Sequence, residues 1–125
     1  MNIYDYETFK INSLSQAKLL IKTNFDRKIN ILHAYESVVW QGPIYLKTIY
    51  NNIISKKVNY IVEVKDEIGL FVSLINLEFK FFALNSKLNV KYRDKFFSIA
   101  KEKKVQILTM KKLKVQNQMK LKLTL

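Results

Sequence analysis

The sequence predicts an α/β protein. The expected fold is a three-layer open sheet, mainly parallel, of about four strand–helix units, with an N-terminal helix and a C-terminal edge strand. Three observations predict it. Apolar runs alternate with segments of helical periodicity through the centre of the chain, at a spacing of about 25 residues. The first run carries apolar residues on both alternating sets, as inner strands of a parallel sheet do. The last segment switches to strict period two, the pattern of a half-exposed strand. Right-handed crossovers would then place helices on both faces of the sheet.

Residues 1–12 hold Tyr4, Tyr6 and Phe9 without a clear period and read as an arm or a lead-in strand. "NSLSQAKLLIKTNF" reads as a helix. Ser13 or Ser15 can cap it, with Leu14, Ala17, Leu20 and Ile21 inward. "KINILHAY", 28–35, is the first strand of the repeating unit, and "ESVVWQGP" reads as a turn. Gly42-Pro43 is the strongest breaker in the chain, and Pro43 suits the first turn of the helix that follows. "VNYIVEVK", 58–65, is the next strand. Asp66 then stands where an N-cap belongs, and the helix from about Glu67 to Leu77 turns Ile68, Phe71, Val72 and Ile75 inward. "FKFFAL", 79–84, is a strand and "NSKLNVKY" a loop. "RDKFFSIAKEKK" is a helix with Phe96, Ile99 and Ala100 inward, and "VQILT", 105–109, closes the repeating core. Residues 13–110 make one domain on this division, and 111–125 form a basic amphipathic strand or tail. In that tail the even positions are polar and the odd ones, Asn117 excepted, apolar. An edge strand guarded by lysines and a strand that adds to a second copy both fit the pattern.

Composition narrows the function classes. At 125 residues and 49% hydrophobic, the chain can fold around a core without metals or disulfides. The absence of cysteine excludes thiol catalysis and cysteine-ligated zinc and fits a cytoplasmic protein. "MNIYDYETFK" lacks an apolar signal core, and no run approaches the length of a membrane span. The net charge of +12 comes from lysine, with Arg27 and Arg93 the only arginines. Lys, Asn, Ile, Phe and Tyr dominate, all residues of AT-rich codons, so composition bias accounts for the charge. Base-specific contacts lean on guanidinium groups, so nucleic-acid binding, if any, is expected to be weak and non-specific.

Open parallel sheets bind ligands at the carboxyl ends of their strands. That rim carries His33, Tyr35, Glu36, Ser37, Trp40 and Gln41 after one strand, Lys65, Asp66 and Glu67 after the next, and Asn85, Ser86 and Lys87 after the third. Glu36, Trp40, Asp66 and Asn85 are the candidate ligand-binding residues. Each also has a structural use: Asp66 as a helix cap, Trp40 as a packing lid. His33 is the only histidine and reads as a satisfied strand residue. Glu63 inside its strand reads as facing solvent at an edge or paired with a lysine such as Lys80. Two glycines, Gly42 and Gly69, cannot build a phosphate loop, and no serine has the flanking glycines of a nucleophile elbow. No metal or cofactor is expected.

"EVKDEIGLFVSLINLEF" is similar to a pattern of acid, Gly, Asp, two residues, Gly, and a helix ending in Gly. That pattern belongs to a small family of uncharacterised α/β proteins from alphaproteobacteria. Glu63, Asp66 and Gly69 match in kind, while Lys65 and Glu78 stand where the pattern has Gly. The resemblance runs from about Ile31 to Thr109, and the composition looks rickettsial. It implies the fold and no activity.

The expected function is a non-catalytic binding or interaction module of a cytoplasmic bacterial protein, with itself as a homodimer or another protein as partner. The alternatives are an enzyme or small-ligand protein with its site on the strand-end rim, and a non-specific nucleic-acid binder.

Overall fold

The computed structural model describes residues 2–24, 26–53, 58–84 and 87–116. The strands are β1 (Glu7–Ile11), β2 (Ile29–His33), β3 (Val58–Lys65), β4 (Phe81–Leu84), β5 (Gln106–Thr109) and β6 (Lys114–Gln116). The helices are α1 (Leu14–Thr23), α2 (Tyr35–Ile53), α3 (Ile68–Asn76) and α4 (Val90–Lys103). Two short 3-10 turns, Ile3–Asp5 and Met110–Lys112, complete the elements of the described residues. The α/β class and the parallel sheet are as the sequence predicts. No helix among the described residues is long and apolar enough to cross a membrane.

Local chemistry explains most helix starts. The Ser13 hydroxyl accepts from the Gln16 amide at 3.3 Å and opens α1. Asn89 accepts from the Tyr92 amide at 3.0 Å, so α4 begins before Arg93, inside the predicted loop. The predicted turn 36–41 is helical. Ala34 O accepts from Val38 N at 3.0 Å, and Val38 is fully buried. Gly42, at φ 81 and ψ 161, is non-helical and breaks α2 into two helical segments, as the predicted breaker requires, and Pro43 stands in the first turn of the second. α3 also differs from expectation. Its N-cap is Glu67, with no side-chain cap bond, and Asp66 stands one residue earlier, exposed. Its buried residues are Phe71 and Leu74, while Val72 faces outward.

All six strands are parallel, in the order β5-β4-β3-β2-β1-β6. β1 to β5 lie side by side in chain order, so every crossover steps the same way along the sheet. Right-handed crossovers of one direction all fall on one face. The packing agrees: Ala17 and Leu20, Leu46 and Ile49, Phe71 and Leu74, and Phe96 join one core with Ile31, Val62 and Phe82. Within it Phe71 meets Phe82 edge-on at 4.8 Å, a favourable aromatic geometry. Helices on both faces, expected from the alternation, are therefore not what the chain builds. The third layer is the two 3-10 turns, which bring Ile3 and Leu113 onto Leu32, Ile61, Ala83 and Leu108.

The sheet cannot be flat. β5 and β6 are its two edges, and five strand spacings would separate them by about 24 Å. The link from Thr109 to Lys114 reaches about 18 Å at full extension. Part of that reach returns from the carboxyl end of β5 to the start of β6. The sheet therefore curls, and the link crosses its concave face. Tyr4 spans the same gap, accepting through its hydroxyl from the Thr109 amide at 2.8 Å. The predicted edge strand is β6, paired in parallel with β1, and residues 117–125 lie outside the described residues.

The amino-terminal part of the concave face is polar. Thr8, Asn30 and Asn59 lie in one row across β1, β2 and β3. Asn30 donates to Thr8 Oγ1 at 3.1 Å and to Ile3 O at 2.8 Å, and Asn59 donates to Asn30 Oδ1 at 3.0 Å. A row satisfied internally costs little to bury and pins strand register.

Leu113, 7% exposed, is the plug of the concave face. Leu113→Ala is expected to cost about 2–4 kcal/mol. Urea denaturation should show a lowered midpoint at unchanged slope.

Candidate functional site

The carboxyl ends of β1, β2 and β3, with the first turns of α2 and α3, bring most of the predicted rim together. Three interaction sets occupy it.

The first centres on His33, which is fully buried. The Asn12 carbonyl can only accept, so Gln41 turns its amide nitrogen to it, at 2.6 Å. The Gln41 oxygen then faces His33 Nε2 at 2.8 Å, so Nε2 carries the proton. Nδ1 accepts from the Tyr60 hydroxyl at 2.7 Å. Burial holds the His33 pKa below its ordinary value and that of Tyr60 above its own. His33 is thus a neutral, satisfied residue tying β2 to β3 and α2, as its strand position predicts.

The second centres on Glu63, 8% exposed on the concave face. Its carboxylate accepts from the Tyr35 amide at 2.9 Å and lies 4.0 Å from the Lys10 ammonium. It caps α2 from a neighbouring strand, where the helix dipole favours negative charge. β3 is an inner strand, and the lysine that meets Glu63 is Lys10, where the sequence reading offered an edge position or Lys80.

The third surrounds the Tyr35 ring. Lys65 takes φ 52, where pairing with β4 shifts register after Glu63. Its ammonium lies 4.5 Å from the Tyr35 ring centroid and 3.5 Å from Glu36. A hydrogen bond to Glu67 raises the Tyr35 pKa to about 12, helped by desolvation and by the nearby charges of Glu67, Asp66 and Glu36. The backbone amide at the helix start, ahead of Lys65, holds Glu36 below its ordinary pKa.

Of the four candidates, Glu36 and Asp66 meet around Tyr35 and Lys65. Trp40 does not lie in a rim pocket: it is 89% exposed on the outer surface of α2. Asn85 lies outside the described residues. His33, Glu63, Lys65 and Gln41 each contact a neighbouring element, which is the chemistry of a clasp between strand ends and helix starts.

Two surfaces escaped the sequence reading. Val39, Trp40, Ile44 and Tyr45 form an exposed apolar ridge on either side of the Gly42 bend. The signal was present: helical phasing that buries Val38 must expose Val39. The other is a cleft of about 760 Å³ at the opposite, amino-terminal edge of the sheet, lined by Lys47, Lys80, Lys103 and Lys104 with Tyr50 and Phe79. Its lysines come from segments far apart in the chain, so no local pattern marks it. Comparisons with family models, curated proteins and solved structures found no match to this chain, so the geometry alone carries the functional argument.

Glu63→Ala is expected to cost about 1–2 kcal/mol as the cap of α2 is lost, and Glu63→Gln clearly less because an acceptor remains. Thermal melts of the two variants check this. His33 supplies a pH signature. Its folded pKa lies below the unfolded value of 6.5, so the unfolded chain binds the proton first. Its contribution is complete above pH 6.5 and declines as pH falls below that value toward the folded pKa. Urea midpoints should drop between about pH 7.5 and about pH 5.5, and His33→Gln should flatten that part of the profile.

Proposed function

We propose that the protein is a non-catalytic interaction module that binds a second copy of itself through the α2 ridge. One observation carries the proposal: Trp40 is 89% exposed, beside Ile44 at 78% and Val39 at 56%. Single exposed apolar residues are ordinary, but four between Val39 and Tyr45, a tryptophan among them, have the composition of an interface centre. Val39 and Trp40 precede the kink at Gly42, and Ile44 and Tyr45 follow it. Two copies related by a two-fold axis through the bend can pack ridge on ridge, which is the self-complementary arrangement a symmetric dimer needs. The interlocked polar groups of the carboxyl edge support a structural role for that rim.

Charge gives the assembly a signature. Each copy carries +12, so association works against repulsion that salt screens. Light scattering over a concentration series is expected to show a dimer whose affinity rises with ionic strength. Trp40→Asp should give a folded monomer under the same conditions. A wild-type chain that stays monomeric at every salt and protein concentration refutes the proposal. An affinity that falls with salt would point to charge attraction instead of the apolar ridge.

A further inference from the structure

We propose that the amino-terminal cleft is a binding site for a small phosphate-rich anion, in the class of organic or inorganic di- and triphosphates. Three segments far apart in sequence converge on it: the second half of α2, the end of α3 with the turn into β4, and the end of α4 with the turn into β5. They bring four lysines, the amides of Asn51 and Asn76 and the ring of Tyr50 against one carboxylate, Glu78. At about 760 Å³ the cleft has the size of a small-molecule site.

Lysines beside helix C-termini also offset the helix dipole, so the demand for that role must be weighed. Here it is met by other groups. Lys47 donates to Leu77 O at 2.7 Å. The Glu78 and Phe79 amides bond to Ile75 O and Leu74 O at the end of α3, and the Val105 amide bonds to Ala100 O at the end of α4. Lys80, Lys103 and Lys104 are exposed, and among the described residues none is in an ion pair. Backbone geometry adds a second observation. Glu78 at φ 72 and Lys104 at φ 58 occupy left-handed positions usually given to glycine, and both line the cleft. Lys104 thereby sets a positive charge at the rim, and Glu78 the one negative charge that the lysines outnumber. Three like charges gathered in a concave site focus a positive potential, which an anion of several charges relieves. Lys47, lying 5.1 Å from the Tyr50 ring centroid and 5.7 Å from that of Phe79, fixes the floor.

The test is calorimetric titration of the full chain at low salt with tripolyphosphate, ATP and adenosine. Saturable binding of the first two, and none of adenosine, is expected. ATP binding more tightly than tripolyphosphate identifies an organic phosphate as the ligand class, and equal affinity identifies polyphosphate itself. The triple variant Lys80→Glu, Lys103→Glu, Lys104→Glu should lose at least about tenfold in affinity. A control with the same change in net charge, Lys18→Glu, Lys22→Glu, Lys91→Glu, should stay within about threefold. Absence of saturable binding, or equal losses in the two variants, overturns the proposal. A second measurement needs no variant: lysine acetylation of the wild-type chain, read by mass spectrometry with and without tripolyphosphate. Selective protection of Lys80, Lys103 and Lys104 supports the site, and uniform protection of all exposed lysines overturns it.

Discussion

A four-residue link, 110–113, joins β5 at one edge of the sheet to β6 at the other, and the architecture follows from its length. So short a tether cannot cross a flat six-stranded sheet, so the edges must approach each other. The concave face that results is too small to admit a helix. It is filled by Ile3, Leu113 and the strand residues beneath them, and sealed by Tyr4 bonding to Thr109. The convex face takes all four helices. One constraint thus sets the curvature, the one-sided helix layer and the need for a plug.

The polar interior is consistent with this closure. The Thr8–Asn30–Asn59 row ends at Ile3 O, so the turn that covers the concave face is also its hydrogen-bond partner. At the other end of the strands, Glu63 serves the start of α2, and His33 joins β2 to β3 and α2. Buried polar groups satisfied across elements add little net energy, but each is costly to misplace. They favour this arrangement of strands over near alternatives.

A single helix layer has consequences at the surface. Among the described residues nothing covers the α2 ridge on its outer side. The helices all end at the same edge of the sheet, where Lys47 of α2, Lys80 of the α3–β4 turn, and Lys103 and Lys104 at the end of α4 line one cleft. Apolar and cationic surface are thereby separated: one is suited to a protein face, the other to an anion. The carboxyl edge, where the polar residues first drew attention, is occupied by contacts between its own side chains.

The sequence by itself determined the class of the fold, because strand and helix periodicity are local properties of successive residues. It placed β2, β3 and β5 nearly to the residue, the Ser13 cap, the inward faces of α1 and α4, and the structural role of His33. Local pattern misjudged 36–41, whose helix depends on Glu63 from another strand and on the burial of Val38. It misjudged the α3 cap for a related reason, since the ladder breaks at Lys65 and Asp66 is left in the turn. Only the tertiary structure decided strand order, curvature, the face on which the helices lie, and the convergence of Lys47, Lys80, Lys103 and Lys104. Those depend on which strands become neighbours and on how far a short link can reach, and neither is encoded in the period of any single segment.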